Sequence, residues 1–384
     1  MPLKFVFGPS GSGKSTYLYQ HVIEESEKYP LKNFIVLVPE QFTMQTQKDL
    51  VSMHPRHGIM NIDVLSFARL AYRVFEETGT KQMQVLDDEG KNLILRKIAG
   101  DYENKLTVLK GNIKKLGYIS EVKSVISEFT QYDIGEEEMD EMLDHLDEDS
   151  RLYYKLKDIR LLYEGFQDYL RERYITKEEL LDVLNSQVKE SELLKNSVVV
   201  LDGFTGFTPV QNRLILELMR CCKEVWVTVT MDERENPYAY KHPYQLFGLS
   251  KQMVTTLVRM AGEDHIEVEE PVCLYGYPVK RFEKNQELAF LERNIFRYGS
   301  GRYDKAVENL EIHAAGNPRQ EADAVAEGIR RLVRKEQYRY RDIGVIVSDM
   351  NVYGDYLEQA FENYGIPVFM DHKRSILLNS FVDI

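Results

Sequence analysis

The stretch LKFVFGPSGSGKSTYLYQHVIEE, residues 3–25, decides the fold expected of this chain. It opens with a mostly apolar run typical of a buried strand, and from Lys14 onward it follows the periodicity of a helix. Between them lies GPSGSGKS, Gly8 to Ser15, which matches the pattern G-x-x-x-x-G-K-[ST] of a phosphate-binding loop. A strand, this loop and a helix in that order predict a nucleoside triphosphate site.

The chemistry of such a loop assigns roles to its residues. Glycines let the backbone turn with its N–H groups pointing inward, and the following helix N-terminus favours an anionic phosphate. Lys14 is expected to reach the β- and γ-phosphates of ATP, and Ser15 to ligate Mg²⁺. The residues predicted to bind the nucleotide are Gly8, Gly11, Ser12, Gly13, Lys14, Ser15 and Thr16. The alternative interpretation is a glycine-rich turn that holds no ligand.

Strand-like runs alternate with amphipathic helical segments along much of the chain. NFIVLV and MNIDVL follow within the first 80 residues, and SVVVLDGF (197–204) and EVWVTVTM (224–231) come later. This rhythm is typical of βαβ units, so it predicts an α/β fold of the P-loop NTPase (RecA-like) class with a parallel sheet.

A region without proline, from Arg56 to Thr208, separates these strand-like runs. Its segments DDEGKNLILRKIA and RLYYKLKDIRLLYEGFQDYL show apolar residues at i, i+3, i+4 and i+7, which predicts packed helices. After residue 309 the α/β pattern resumes, with strands expected at LEIHAA (310–315), DIGVIVS (342–348) and PVFM. The predicted domains are a first RecA-like domain of residues 1–83 and 196–308, an all-helical insertion of residues 84–195, and the beginning of a second RecA-like domain at 309–384. Because the pattern stops in mid-course, we expect a longer polypeptide.

Composition narrows the class of protein further. A net charge of −13 argues against a surface that coats nucleic acid throughout, although it allows a local basic groove. Cys221, Cys222 and Cys273 are too few and too poorly spaced for a disulfide framework or a four-cysteine cluster, which fits a reducing cytoplasm. No apolar run reaches the roughly 18 residues that a membrane span needs. We therefore expect a cytoplasmic protein without a membrane segment.

An acidic residue follows the apolar run SVVVL. Asp202 ends this run, as the Mg²⁺-binding acid of a Walker B strand does. The predicted catalytic residues are Lys14 and Asp202, and the predicted Mg²⁺ ligands are Ser15 and Asp202. An active motor usually has a glutamate next, which orients the attacking water, but Gly203 occupies that position. Hydrolysis at this site is therefore in doubt. Since Asp-Gly is also a turn signal, a simple turn after a buried strand is the alternative interpretation of Asp202.

Two further loops, VPEQFTMQTQ (38–47) and LSFARLAYRVF (65–75), are expected at the carboxyl edge of the sheet, where open α/β folds place ligands. Aromatic rings beside a cation are typical of platforms on which single-stranded bases stack. A core stripe at helical spacing explains Phe67 equally well. The candidate DNA contacts in these loops are Gln41, Thr43, Phe67, Arg69 and Tyr72.

Taken together, these segments resemble superfamily 1 DNA helicases of the UvrD/RecB type, and within them the AddB family of helicase–nuclease subunits. The resemblance rests on the early Walker loop, VPEQFT, LSFARLAYRVF, VVLDGFTGFTPVQ and the segments from Arg319 onward, and it covers essentially the whole chain. It implies a subunit that, with an AddA-like partner in a heterodimer, processes double-strand DNA ends for recombinational repair. It also implies a motor-like module that binds ATP and scans the passing strand for the Chi sequence, with Phe204 as a further candidate contact.

Departures from that pattern favour a degenerate motor. Besides Gly203, no upstream glutamine motif precedes Gly8, and the only candidate for the arginine of the fourth motif is Arg297 in LERNIFR. The family's nuclease domain and iron–sulfur cluster are expected only downstream of these 384 residues. Two alternatives remain: an active DNA-stimulated ATPase with a glutamate supplied from elsewhere, and a P-loop kinase acting on a small molecule.

Overall fold

A computed structural model describes residues 2–79, 84–113, 115–171, 174–297, 299 and 301–370. Its strands are β1 (Leu3–Gly8), β2 (Asn33–Leu37), β3 (Ile62–Leu65), β4 (Gln84–Leu86), β5 (Tyr174–Thr176), β6 (Ser197–Leu201), β7 (Glu224–Thr230) and β8 (Val272–Cys273). Its helices are α1 (Lys14–Lys28), α2 (Thr43–Met53), α3 (Phe67–Thr78), α4 (Asp88–Asp101), α5 (Leu116–Gln131), α6 (Glu136–Asp144), α7 (Arg151–Leu170), α8 (Leu180–Gln187), α9 (Glu192–Lys195), α10 (Pro209–Cys221), α11 (Gly248–Glu263), α12 (Gln286–Asn294), α13 (Pro318–Lys335) and α14 (Met350–Asn363).

Six of the strands form one sheet in the order β3-β2-β6-β7-β1-β8, and every neighbouring pair is parallel. The predicted α/β class with a parallel sheet is therefore confirmed. One strand, β7, separates β1 from β6, so the loops that follow β1 and β6 open at the same edge of the sheet. Parallel strands need long crossover connections, which the helices between them supply.

Both faces of the sheet are covered, which explains why its strands are nearly continuous apolar runs. On one face, Val6, Val36 and Val200 pack with residues of α1 and α2. On the other face, Phe5 and Val199 pack with residues of α3, α8, α10 and α11. Successive side chains of each strand point to opposite faces of the sheet, so the sheet contributes to two apolar cores, one on each face.

The middle region has a core of its own, formed mainly by α4, α5 and α7 with Met139 of α6. Its predicted all-helical character is wrong, because β4 and β5 form a two-stranded parallel sheet there. The pairing joins Gln84 to Tyr174 and Leu86 to Thr176. Three-residue strands so far apart in sequence leave no local periodicity, so the pattern of the chain could not indicate them.

The chain divides into two compact units, of which the first ends at Arg302 and the second begins at Tyr303. In the described residues 303–370, α13 and α14 pack against each other through Ala322, Ala326 and Phe361, among others. The strands predicted at 310–315 and 342–348 and in PVFM are absent from this described part. A strand requires a hydrogen-bonded neighbour, and these segments have none that forms a ladder, so Ile346 stays 99% exposed. The remainder of the predicted 309–384 domain, residues 371–384, lies outside the described residues.

None of the helices in the described residues combines the length and the apolar character that crossing a membrane demands.

Candidate nucleotide-binding site

The glycine loop joins β1 to α1 in a conformation that its sequence requires. Gly11 and Gly13 have φ values of 86° and 93°, in the left-handed region that side chains rarely adopt. The Ser12 N–H donates to the Pro9 carbonyl at 3.2 Å, and the Tyr17 N–H donates to the Gly13 carbonyl at 2.9 Å, which begins the helix. The N–H groups of the first turn have no partner within the helix, so this end of α1 is suited to an anion.

The side chain of Lys14 folds over the loop. Its Nζ donates to the carbonyl oxygens of Gly8 at 2.9 Å and of Pro9 at 3.0 Å. Burial lowers the pKa of this amine from 10.5 to about 8, the nearby Asp202 carboxylate opposes that shift, and Arg281 adds to it. A partly desolvated ammonium at this place is suited to a polyanionic ligand.

Asp202 lies at the end of β6, buried among hydroxyl groups. Ser15 Oγ donates to its Oδ1 at 3.2 Å, Thr228 Oγ1 donates to the same oxygen at 2.6 Å, and Tyr19 Oη donates to Oδ2 at 2.7 Å. Burial, followed by the charge of Asp202, raises the pKa of Tyr19 well above its usual range. The two residues that the sequence predicts for Mg²⁺, Ser15 and Asp202, are thus in direct contact.

This contact fits a magnesium ion that takes few protein ligands. The Ser15 hydroxyl donates a hydrogen bond to Asp202, so the lone pairs of its oxygen remain available to a cation. Within the described residues no group of three or more His, Cys, Asp or Glu side chains is arranged to hold a metal ion. Mg²⁺ in nucleotide sites usually keeps several waters and binds substrate phosphates, so one hydroxyl and one nearby carboxylate are compatible with it.

Two cations reach the loop from the distant segment that follows β8. The Arg281 N–H donates to the Gly11 carbonyl at 3.0 Å. A Cβ added to Gly11 would lie 2.7 Å from the Arg281 Cβ, so only glycine fits there without a shift. Lys280 and Arg281 line a pocket of about 480 Å³ together with Lys14 and Asp202.

Arg297, the sequence candidate for a phosphate contact, lies elsewhere in the first unit. Its guanidinium forms ion pairs with Asp232 at 3.2 Å and with Glu235 at 3.0 Å, and it does not line the loop pocket. Hydrogen bonds from Arg234 and the charge of Arg297 hold the pKa of Asp232 at about 2, so this carboxylate stays charged and its pairing with Arg297 persists.

The glutamate position of an active motor is occupied by a residue with an unusual backbone. Gly203 has a φ of 79°, again in the left-handed region, and it is exposed at the pocket. Among the described residues that line the pocket, Asp202 is the only carboxylate. The pocket therefore brings together cations and the Ser15–Asp202 contact, and its described lining offers no second acid to orient a water.

The candidate DNA contacts divide into exposed and buried side chains. Gln41, Arg69 and Tyr72 are exposed, whereas Thr43 is buried with its hydroxyl donating to the Glu40 carbonyl at 2.9 Å. Phe67 is also buried. Its ring lies 5.4 Å from that of Phe204 and 6.4 Å from that of Phe207. No observation tests whether any of these residues touches DNA, so their assignment stays a prediction.

The sequence interpretation missed four residues that lie at the glycine loop or contact Asp202. Tyr19 had a signal, because it lies four residues after Ser15 and hence on the same face of α1. The other three missed residues, which had no recognisable local pattern, are Thr228, Lys280 and Arg281. Their proximity to the loop depends on the order of the strands.

Comparison with known proteins assigns the chain to a family. The family model described as "ADDB, N-terminal" matches residues 5–292, a range that includes the glycine loop, Asp202 and Arg281. The chain belongs to the AddB family. Several relatives of this AddB-family chain are named as subunits of an ATP-dependent helicase/deoxyribonuclease.

The match to these relatives covers the whole of this chain. The protein from Lachnoclostridium phytofermentans is 44% identical over 390 residues, with 100% of this chain and 34% of the relative aligned. The proteins from Clostridium kluyveri and from Caldanaerobacter subterraneus subsp. tengcongensis are each 34% identical, over 382 and 385 residues, with 100% of this chain and 33% of each relative aligned. The AddB-family chain thus spans about a third of the length of the curated relatives it matches.

Proposed function

We propose that this AddB-family chain is the ATP-binding, DNA-contacting front part of an ATP-dependent helicase/deoxyribonuclease subunit. With an AddA-like partner in a heterodimer, the whole protein would process double-strand DNA ends for recombinational repair in the cytoplasm. The nuclease domain and the family's iron–sulfur cluster would belong to the remainder of the protein. The first unit would act as a P-loop NTPase domain of the RecA-like class.

The contact between Ser15 and Asp202 beside Lys14 carries this proposal. A loop that merely turned would not need a buried acid placed 3.2 Å from the hydroxyl that ends its motif. In the proposed complex, the loop N–H groups and Lys14 bind the phosphates, Ser15 ligates Mg²⁺, and Asp202 holds the water shell of the ion. The same contact disfavours the interpretation of Asp202 as a simple turn residue.

We propose that Arg281, beside Lys14, contacts the terminal phosphate. Its backbone is tied to Gly11, and its side chain lines the same pocket as Lys14. Arg297 is held by Asp232 and Glu235 instead. Arg281→Ala is therefore expected to weaken ATP binding, and Arg297→Ala is expected to lower thermal stability with ATP binding retained in the folded fraction.

We infer that the site binds ATP with little turnover. Positioned nucleophiles are essential to phosphoryl transfer, and the pocket's described residues offer no carboxylate beyond Asp202 for this role. A glutamate in place of Gly203 would also have to adopt a left-handed backbone, at a cost of about 1–2 kcal/mol. This reasoning favours a degenerate motor over a fully active one.

We propose that single-stranded DNA runs along the exposed side chains after β2 and β3. Gln41, Arg69 and Tyr72 would contact the DNA directly, and the buried Phe67 and the half-buried Phe204 would support that surface from below. Scanning for Chi, which the family resemblance implies, would take place along the same surface.

The decisive experiment measures ATP binding and ATP hydrolysis by the purified chain, with and without single-stranded DNA. Binding with negligible turnover would support the degenerate motor. DNA-stimulated hydrolysis abolished by Lys14→Ala would establish an active motor instead. Transfer of phosphate to a nucleoside or metabolite, without any effect of DNA, would point to a kinase and overturn the proposal.

A further inference from the structure

An open apolar groove lies on the helical middle region, between α5, α6 and α7. Its volume is about 760 Å³, and Val125, Phe129, Ile134, Leu156 and Ile159 contribute to its lining. Clefts that bind ligands typically enclose about 300–1,000 Å³. The nucleotide pocket involves none of these residues, so the groove needs an explanation of its own.

The rim of the groove exposes large apolar side chains to solvent. Tyr132 is 58% exposed, Leu152 is 59% exposed and Met142 is 40% exposed, and all three line the groove. Single exposed apolar residues are ordinary, but several around one concave surface are typical of a protein interaction site. Flexible Met and large aromatic side chains are also frequent at such sites.

Helix α6, which borders the groove, and the segment after it are strongly acidic. The run from Glu136 to Asp149 contains nine carboxylates and no lysine or arginine. Arg160 pairs with Asp140 at 2.6 Å and lies 3.8 Å from Glu136. Seven carboxylates of the run have no ion pair within the described residues, and they are Glu137, Glu138, Glu141, Asp144, Asp147, Glu148 and Asp149. Of these, Glu138 and Glu141 line the groove, where Lys155 and His145 are the basic residues.

We propose that this groove binds an amphipathic helix of a protein partner, with its apolar face in the groove and lysines or arginines along its polar face. A helix laid into an apolar groove is a recurrent mode of protein recognition, in which anchors at i, i+4 and i+7 enter the cleft. Because the rim of the groove is acidic, charge complementarity favours basic residues on the partner helix where it faces this rim. The same carboxylates repel the phosphates of DNA, so the groove lies off the path of the strand.

The probe is a pair of fluorescein-labelled synthetic helical peptides of about 18 residues, with leucines at i, i+4, i+7 and i+11. One peptide carries lysines and the other carries glutamates at the remaining positions. Fluorescence anisotropy with the full chain is expected to show binding of the lysine peptide at least about tenfold tighter than the glutamate peptide. A single-stranded oligonucleotide is not expected to displace it.

Leu152→Asp separates docking in the groove from general attraction between opposite charges. The change adds a carboxylate, so general attraction would bind the lysine peptide more tightly, whereas docking predicts a loss of about tenfold. Leu152 is exposed in the first turn of α7, where an acid suits the helix dipole, so the chain is expected to fold. Leu93→Asp, at a 69% exposed leucine of α4 outside the groove, is the matched control and is expected to change affinity less than twofold.

Three outcomes would overturn the proposal. One is the absence of binding of either peptide, and another is equal loss of binding with Leu152→Asp and Leu93→Asp. The third is a dimer of this chain in light scattering that Leu152→Asp dissociates, because a second copy would then occupy the groove. Glu141→Lys, which reverses one charge at the rim, is expected to weaken the lysine peptide about threefold and supports the proposal if it does.

Discussion

The nucleotide pocket and the loops after β2 and β3 open at the same edge of one sheet, but they are built differently. In the pocket, α1 and β7 contribute side chains that hydrogen-bond to one carboxylate, Asp202, which directly follows β6. In the segments after β2 and β3, exposed side chains make short-range contacts, as between Gln45 and Asp49 within α2 at 2.8 Å. The pocket is thus held in place by residues distant in sequence, whereas the exposed side chains of the loops are free to adapt to a ligand. Removing one residue from a preorganised site lowers ligand affinity more than removing one residue from an adaptable surface.

The largest effect is expected from Lys14→Ala. Loss of the ammonium removes charge-assisted contacts to the phosphates, each worth about 1.5–3 kcal/mol, so ATP affinity should fall by roughly a hundredfold. Isothermal titration calorimetry with Mg-ATP measures this change. In the absence of nucleotide, the affinity of this variant for single-stranded DNA should stay within about twofold of that of the unmodified chain. That result would show that the pocket and the segments after β2 and β3 bind their ligands independently.

Lys28→Ala is the matched control for that experiment, because Lys28 ends the same helix that Lys14 begins. Its side chain is exposed, so its removal is expected to leave ATP affinity unchanged. If both variants bind ATP as tightly as the unmodified chain, the glycine loop is not a triphosphate site.

Tyr72→Ala tests the other side of the comparison. Stacking of one base on an aromatic ring is worth about 1–3 kcal/mol, so affinity for a single-stranded oligonucleotide should fall by about tenfold, with ATP affinity unchanged. Tyr29→Ala, at an exposed tyrosine just beyond α1, is the control. If the affinity for the oligonucleotide falls equally in both variants, Tyr72 is not a base-stacking residue.

ATP affinity is expected to depend on pH, by about as much as DNA affinity depends on Tyr72, whereas DNA affinity is not. The pKa of Lys14 is lowered from 10.5 to about 8, so the amine of the free site loses its proton as the pH rises through this value. Triphosphate favours the protonated amine, so ATP affinity should fall by up to about tenfold between pH 7 and pH 9. Lys14→Arg keeps its charge throughout and should show a flat profile. A flat profile in the unmodified chain would contradict the assigned role of Lys14.

Tyr19→Phe is expected to have the smallest effect. It removes the donor to Asp202 Oδ2, a hydrogen bond worth about 1 kcal/mol, so ATP affinity in the presence of Mg²⁺ should fall about fivefold. Affinity for ATP without Mg²⁺ should not change, because Tyr19 acts by positioning the metal-binding acid. Tyr17→Phe on the same helix serves as the control. An equal loss with and without Mg²⁺ would reduce Tyr19 to a structural residue.

Local patterns predicted the parts of the site that depend on neighbouring residues. The loop from Gly8 to Ser15 and the acid at Asp202 each follow an apolar strand, and both predictions needed only a few adjacent positions. Arg281 could not be found in this way, since its contact with Gly11 spans 270 residues and depends on β8 lying beside β1. Predicting such contacts requires the strand order, which periodicity does not contain.

The same limit explains the errors in the fold. Apolar alternation measures the preference of a segment for an extended backbone, and the sheet of the first unit supplies a partner for each such segment. In the second unit the alternation at 342–348 and in PVFM is equally clear, but the described residues provide no neighbouring strand. The β4–β5 pair shows the converse, because its three-residue strands pair without a readable pattern.

The order of strands also determines when the first strand can find its partners during synthesis. Leu3 of β1 pairs with Val225 of β7, so a ribosome adding about 5–20 residues per second leaves β1 waiting roughly 10–45 s for that neighbour. A nascent LKFVFG segment is apolar and has both strand edges unpaired during this interval, which favours aggregation or capture by a chaperone. Gly8, the first residue of the glycine loop, is thus made 222 residues ahead of Thr230, its partner in β7.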